Sequence, residues 1–87
     1  MTIIELDGRK MDSRAQTHQY LKEALDLPAY YGSNLDALYD CLTDLHRVKI
    51  VFRYQEAMLN SLGAYGQSLL QVMKDAAQEN PGLIFAC

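Results

Sequence analysis

Hydrophobic positions along this chain follow two repeats, one typical of strands and one typical of helices. Three short segments, 2–6, 48–52 and 83–86, are rich in β-branched or aromatic residues and predict strands. Between them, apolar residues recur every three to four positions and predict helices. One helix begins at the capping box of Ser13 and Gln16 and stops at Pro28, and the others cover 35–45, 56–63 and 68–78. The pattern predicts an α/β fold in which about four helices flank a small three-stranded parallel sheet.

The second predicted helix has one apolar face and one acidic face. Its apolar residues project within an arc of about 120° on a helical wheel, and they are Leu35, Leu38, Cys41, Leu42 and Leu45. Asp36, Asp40 and Asp44 recur every four residues on the opposite side. Each pair of like charges at this spacing costs roughly 0.2–0.5 kcal/mol. Folding alone does not require such a face, whereas binding to a cationic partner would.

The aspartates on this face have different structural explanations. Asp36 can be the third residue of a capping box that begins at Ser33, although Asn34 is a second candidate for the cap. Asp40 has no cation three or four residues away, so it is either a solvated charge or a docking carboxylate. The helix dipole opposes Asp44 in the last turn. Sequence alone leaves these alternatives open.

Exposed aromatic and acidic residues extend the acidic face. Tyr30 and Tyr31 occupy the loop before the helix, where at least one should be exposed, and Tyr39 should be partly exposed at the edge of the apolar arc. On the last helix a second stripe lies outside the inward face, and it consists of Ser68, Val72, Asp75 and Glu79. Its valine is either an ordinary surface residue or a contact residue.

The bulk properties limit the classes of function. A length of 87 residues predicts a single domain over 1–87, and a net charge of −3 argues against a nucleic-acid binder. The N-terminus lacks the apolar run of a signal peptide, and no segment resembles a membrane span, so we expect a cytoplasmic protein that has no membrane partner. Two cysteines without CxxC spacing predict reduced thiols.

Catalytic and metal sites find little support in the sequence. The aspartates do not match the EF-hand spacing, and His18 and His46 form no HExxH motif. A cysteine–histidine nucleophile would need a third orienting group, which the sequence does not single out. We therefore expect no catalytic residues, no metal and no cofactor. An interaction module for a basic partner and, less favoured, a metal-assisted hydrolase remain alternatives to the interpretation that follows.

The segment 27–43 resembles the signature of the barstar family, the intracellular inhibitors of the bacterial ribonuclease barnase. Its sequence LPAYYGSNLDALYDCLT fits the family pattern L-P-x-Y-Y-G-x-N-L-D-A-L-x-D-C-L-T, and a weaker likeness extends along the chain. The resemblance implies the predicted sheet, a non-enzymatic protein, and a 1:1 complex with a basic, barnase-like microbial ribonuclease. The second helix and its loop would enter the cleft of that ribonuclease.

The resemblance also implies roles for individual residues. Asp40 would occupy the RNA phosphate site, Tyr30 would pack on a catalytic histidine, and Asp36 would pair with a cation at the rim. The full predicted partner surface comprises Tyr30, Tyr31, Gly32, Asn34, Leu35, Asp36, Tyr39, Asp40, Thr43, Asp44, Leu45, Val72, Asp75 and Glu79. Four of these depart from the family pattern: Tyr39 and Leu45 stand where tryptophans are expected, Asp44 replaces a glycine, and Asp75 replaces a glutamate. These departures lead to the hypothesis that the cognate ribonuclease differs from barnase and has an additional or displaced cation facing Asp44.

Overall fold

The computed structural model describes residues 1–86 and shows strands and helices in alternation. The strands are β1 (Thr2–Asp7), β2 (Val48–Arg53) and β3 (Leu83–Ala86). The helices are α1 (Arg14–Ala24), α2 (Leu35–Thr43), α3 (Gln55–Leu62) and α4 (Ala64–Glu79), and a 3-10 turn at Gly8–Lys10 follows β1. The predicted α/β architecture is confirmed. None of the helices in this range has the length and apolar character needed to cross a membrane.

The three strands form one parallel sheet in the order β1-β2-β3. Ile4 of β1 lies opposite Ile50 of β2, which lies opposite Phe85 of β3. Parallel neighbours need a long crossover connection, and here α1 and α2 join β1 to β2 while α3 and α4 join β2 to β3. The central strand is therefore the β-branched segment that contains Val48, Ile50 and Val51.

The hydrophobic core lies on one face of this sheet. Alternate strand residues such as Leu6, Ile50 and Phe52 are buried, and they belong to one cluster with apolar residues of all four helices. The strand residues between them point to the opposite face, where Ile3 is 63% exposed and Ile84 is 44% exposed. We call this surface the open sheet face, and it is formed by Ile3, Glu5, Lys49, Val51, Arg53 and Ile84.

Most helix boundaries lie within two residues of the prediction, and the two that differ more, the end of α1 and the start of α4, do so for identifiable reasons. Helix α1 ends at Ala24, before Pro28, because Asp26 adopts a left-handed conformation with φ of 53°. The amide of Asp26 donates to the Glu23 carbonyl at 3.4 Å and that of Leu27 to the Lys22 carbonyl at 2.9 Å, which is the Schellman pattern. Helix α4 begins at Ala64 because one left-handed glycine, Gly63, ends α3 and precedes α4 directly.

Candidate functional site

Helix α2 begins at Asn34. The Asn34 Oδ1 atom accepts from the Ala37 amide at 2.7 Å, and Asn34 Nδ2 donates to the Gly32 carbonyl at 3.2 Å. Ser33 has a φ of 54° and lacks the extended conformation of an N-cap residue. Of the two candidate caps, Asn34 is therefore the one that begins the helix, and Asp36 is its second residue. The alternative in which Asp36 completes a capping box with Ser33 is not the one observed. The Asp36 carboxylate lies in the first turn, where the helix dipole favours a negative charge.

The acidic face of α2 is exposed along its whole length. Asp36, Asp40 and Asp44 are all exposed, whereas Leu38 and Leu42 on the inner side are fully buried. Within residues 1–86, no lysine or arginine forms a salt bridge with these three carboxylates. The Thr43 hydroxyl donates to the Asp40 carbonyl at 2.9 Å, so it bonds within the helix and leaves the Asp40 side chain free.

The loop before α2 separates two neighbouring tyrosines. Tyr30 is 86% exposed, whereas Tyr31 is 8% exposed, which confirms that at least one of them faces solvent. The Tyr31 amide donates to the Pro28 carbonyl at 2.9 Å and closes a tight turn between them. Tyr31 belongs to the core, so its side chain supports the loop from below, and the small part that stays accessible lines a cavity beside Tyr30.

A buried hydrogen-bonded network fixes this loop to two helices. The Tyr31 hydroxyl lies 2.6 Å from His18 Nδ1, and the Tyr65 hydroxyl lies 2.6 Å from His18 Nε2. Burial lowers the pKa of His18 and raises the pKa of both tyrosines, so the neutral imidazole donates through one ring nitrogen and accepts through the other. The network joins α1, the loop and α4. It was not predicted, although a histidine one turn before Leu21 on the apolar side of α1 was a usable signal.

Two cavities meet at Tyr30 and Asp40. The first, which we call the Tyr30 cleft, has a volume of about 240 Å³ and is lined by Asp26, Leu27, Pro28, Tyr30, Asp40, Cys41, Asp44 and Leu45. The second has a volume of about 290 Å³ and shares Tyr30, Asp40 and Cys41 with the first. Burial, together with Asp44 and Asp40, raises the pKa of the Cys41 thiol. The Tyr30 cleft thus has three carboxylates and no cationic residue in its lining.

Asp26 is a member of this cleft that the predicted site omitted. The sequence places it ten residues before Asp36, outside the helical stripe. The left-handed turn that ends α1 brings it to the same cavity as Asp40 and Asp44. Its contribution depends on loop geometry, which hydrophobic periodicity does not reveal.

The N-terminal end of α2 faces a different groove. Asn34, Leu35 and Asp36 line an open depression of about 560 Å³ together with residues of α1 and α4, including Arg14 and Tyr65. The Arg14 guanidinium carbon lies 4.3 Å from the centroid of the Tyr65 ring, a cation–π arrangement. The predicted surface is therefore divided into an acidic cleft at Tyr30 and a mixed-charge groove at Asp36.

Helix α4 packs against α2 and holds its C-terminal end. The buried Asn80 donates through Nδ2 to the carbonyls of Leu42 at 3.0 Å and Leu45 at 2.7 Å. Its Oδ1 accepts from the Gly82 amide at 2.9 Å. Asn80 thus ties the last turn of α2, and the residue Leu45 just beyond it, to the segment that follows α4. The sequence indicated only that the segment containing Pro81 and Gly82 stops α4.

The predicted contact residues on α4 lie apart from the carboxylates of α2. Val72 is half-buried against the core, whereas Asp75 and Glu79 are exposed. Asp75 Oδ1 accepts from Gln71 Nε2 at 2.9 Å. No hydrogen bond among the described residues links these three side chains to the acidic face of α2. For these residues to take part in binding, the partner must be large enough to contact both α2 and α4.

The arrangement suits cation binding better than it suits metal coordination. In residues 1–86, no three side chains of His, Cys, Asp or Glu form a group that could hold a metal ion. Asp36, Asp40 and Asp44 follow one another along a single helix face, so they do not converge on one ion. An exposed aromatic ring beside carboxylates can instead accept a guanidinium or imidazolium group.

Sequence comparison decides the family. The profile described as "Barstar (barnase inhibitor)" matches residues 1–87. The chain belongs to the barstar family. A relative from Bacillus subtilis (strain 168), named "Putative ribonuclease inhibitor YrdF", is 42% identical over 82 residues, which span 91% of this chain and 89% of the relative. The resemblance carried by 27–43 is confirmed, and the family is one of inhibitors and not of enzymes.

The departures from the barstar pattern fall in different environments. Tyr39 is half-buried, as predicted, and Leu45 is half-buried in the lining of the Tyr30 cleft. Asp44 is exposed in the same cleft, and Asp75 is exposed on α4. Asp44 therefore adds a further negative charge to the cleft that contains Asp40.

Proposed function

We propose that this chain inhibits a basic, barnase-like ribonuclease by covering its active site with α2 and the preceding loop. The observation that carries the proposal is the Tyr30 cleft, where a tyrosine that is 86% exposed meets three carboxylates with no cation in the lining. Membership of the barstar family and the name of the Bacillus relative support the same function. The complex contains one inhibitor for each ribonuclease and protects the bacterial cytoplasm as an immunity protein would.

Asp40 acts in this proposal as a mimic of an RNA phosphate. A ribonuclease active site binds phosphate through cationic side chains, and a carboxylate offers such groups the same acceptor geometry. Asp40 lies on the rigid helix α2, and both cavities beside Tyr30 open onto it. Because the helix and its caps already fix the backbone at Asp40, binding has to order only the rotamers of one short side chain.

Tyr30 supplies the aromatic contact next to Asp40. Its ring is largely free of intramolecular contacts, so burial under a partner removes a large apolar area from water. The face of the ring can also receive an imidazolium or a guanidinium group. Aromatic residues in this position are typical of the few side chains that dominate an interface.

The groove at the N-terminal end of α2 forms the rim of the proposed interface. Asp36 pairs there with a cation of the ribonuclease, although Arg14 in the same groove weakens the local negative potential. The remaining contacts are polar, backbone or packing contacts around the centre, from Tyr31, Gly32, Asn34, Leu35, Tyr39, Thr43, Leu45, Val72, Asp75 and Glu79. Such rim contacts exclude water and add less to affinity than the central residues.

Asp44 and Asp26 give the cleft a charge that the barstar pattern does not predict. Both carboxylates line the cavity that contains Asp40. We infer a cognate ribonuclease with an additional or displaced cation that enters between them. The excess of acids over bases, which gives the chain a net charge of −3, also attracts a basic enzyme before contact.

Titration of the chain into a barnase-like ribonuclease tests the proposal. We expect RNA cleavage to stop near an equimolar ratio. Asp40→Ala should weaken the complex by at least about 2 kcal/mol, the threshold for a dominant interface residue. Asp12→Ala, which removes another exposed aspartate outside the site, should inhibit like the parent chain.

Two outcomes would contradict the proposal. Unchanged RNA cleavage across a panel of basic microbial ribonucleases would remove the inhibitory function. Equal inhibition by Asp40→Ala and Asp12→Ala would retain the function and refute the assignment of Asp40 to its centre.

A further inference from the structure

The open sheet face is unusual for a parallel sheet. Parallel sheets occur almost only with both faces covered, because their crossover helices usually lie on both sides. Here the buried residues of the strands and of all four helices form one cluster on one side. Residues of the opposite face, such as Ile3 at 63% and Ile84 at 44% exposure, remain accessible. A covering surface would remove these side chains from water.

The charges on this face are of both signs. Glu5, Lys49 and Arg53 project from it, and Arg53 Nη2 donates to Glu5 Oε1 at 3.2 Å. Both side chains of that pair are more than half exposed, so Glu5 can accept from a second cation. Lys49 forms no salt bridge within residues 1–86. This face therefore lacks the excess of negative charge found on α2.

The sheet register fixes the arrangement of the charged and apolar groups. Ile3 lies opposite Lys49, and Glu5 lies opposite Val51, on the neighbouring strands β1 and β2. Glu5 and Lys49 are therefore diagonal neighbours, and Ile3 and Val51 occupy the other diagonal of the same four-residue square. A two-fold axis that is parallel to the sheet and bisects the line between the two charges at a right angle would exchange their positions, and this axis runs close to the diagonal from Ile3 to Val51.

We propose that the open sheet face binds a second copy of this chain, with Glu5 of each copy facing Lys49 of the other. In this arrangement Ile3 and Val51 lie close to the two-fold axis and meet their own counterparts. An interface of this kind is self-complementary, as two-fold symmetry requires. It pairs Lys49 with a carboxylate and covers the most exposed isoleucine of the sheet.

The dimer leaves the acidic surface of each copy accessible. Helix α2 joins the core through Leu38 and Leu42 and packs against α4, and its aspartates are exposed to solvent. The open sheet face lies on the side of the sheet opposite to the core. A dimer formed through it would leave both Tyr30 clefts uncovered, because none of their lining residues belongs to this face, so it could bind two partner molecules at once.

The size of the face sets the strength of the association. Three strands at about 4.8 Å spacing and about five residues at 3.3 Å give a contact of roughly 14 by 17 Å. This is well below the area of about 800 Å² that a partner contributes to a stable interface. The dimer should therefore be transient, with the average mass rising between about 10 μM and 1 mM protein, a range typical of weak association.

Sedimentation equilibrium over that concentration range tests the proposal when the charges of Glu5 and Lys49 are reversed, first singly and then in a mixture of the two variants. Glu5→Lys alone and Lys49→Glu alone should each weaken association at least about tenfold, because like charges then face each other. An equimolar mixture of the two variants should restore it, since every Lys then faces a Glu across the interface. Asp12→Lys and Lys74→Glu make the same charge changes on exposed residues outside the face and should associate like the parent chain.

Three results would overturn the proposal. One is a parent chain that stays monomeric at about 1 mM, where weak dimers are populated. Another is association that neither Glu5→Lys nor Lys49→Glu reduces. The third is a mixture of the two variants that associates no better than each alone, although thermal unfolding shows both to be folded. None of these measurements involves a ribonuclease, so they are independent of the proposed inhibition.

Discussion

Two neighbouring tyrosines divide the loop before α2 into an outward and an inward region. Tyr30 is 86% exposed beside Asp40, whereas Tyr31 is 8% exposed and bonds to His18. The outward region has carboxylates without ion-pair partners among the described residues, and the inward region has every polar group paired. In the proposed complex, binding and stability are therefore carried by different residues one position apart. Substitutions in the two regions should have separable effects.

The largest effect on stability should follow the removal of His18. His18→Ala leaves a cavity and removes the shared hydrogen-bond partner of two tyrosines, so the free energy of unfolding should fall by about 3 kcal/mol. Urea denaturation measures this change. His46→Ala, at an exposed position, should alter stability by less than about 0.5 kcal/mol. Similar losses in both variants would show that the network does not stabilise the fold.

Substitutions of the two tyrosines provide the most direct test of the difference between the outward and inward regions. Tyr30→Ala should weaken inhibition by about 2 kcal/mol and change the free energy of unfolding by less than about 0.5 kcal/mol. Tyr31→Phe removes only a buried hydroxyl, so it should lower the free energy of unfolding by about 1–2 kcal/mol. Inhibition by that variant should stay within about threefold of the parent, as long as the protein remains folded. Reversed effects would mean that the two regions are not separate.

Acid should lower the free energy of unfolding through protonation of His18 in the inward region. Burial lowers the pKa of this imidazole in the folded state, so the unfolded chain binds its proton first as the pH falls. The contribution of neutral His18 to the free energy of unfolding is therefore fully present above the ordinary histidine pKa of about 6.5. It declines as the pH falls below that value, and it is completely lost below the folded-state pKa. One group contributes at most about 1.4 kcal/mol per pH unit. Urea denaturation between pH 7 and pH 5 should show a steeper decline for the parent chain than for His18→Gln, and equal slopes would refute the assignment.

The smallest effect is expected at the end of the acidic face. Asp44 lies four residues from Asp40 at the C-terminal end of α2, where the dipole disfavours a carboxylate. Asp44→Asn should therefore raise the free energy of unfolding by about 0.5 kcal/mol and weaken inhibition of the cognate ribonuclease. Asp36→Asn, at the other end of the helix, should not stabilise the protein. Calorimetry that shows the same change for both variants would contradict this difference.

The sequence predicted the sheet and its helices because short-range patterns determine them. The β-branched segment 48–52 and the apolar spacing of 35–45 reflect burial on one side of each element. The end of α1 was not predicted because it depends on a left-handed Asp26, and the cap of α2 was ambiguous because Ser33 and Asn34 have similar preferences.

The site was predictable where it lies on one continuous segment. Tyr30 and Asp40 belong to the motif at 27–43, and the structure brings both to the same cleft. Asp26 and the pair of His18 and Tyr65 were missed because their proximity depends on the tertiary fold. The bond between His18 and Tyr65 spans 47 positions along the chain, and no local pattern encodes such a contact.

The hydrogen bonds of Asn80 have a consequence for the timing of synthesis. This amide donates to the carbonyl of Leu42, in the last turn of α2, and to that of Leu45 just after the helix, although it is translated 35 residues after Leu45. A nascent chain that ends before this position contains Tyr30, Asp40 and the whole of α2. It lacks the group that fixes the end of that helix. At about 5–20 residues per second, translation needs seconds to supply it. We therefore expect a ribosome-bound chain to acquire a fully ordered acidic surface only when its last segment emerges.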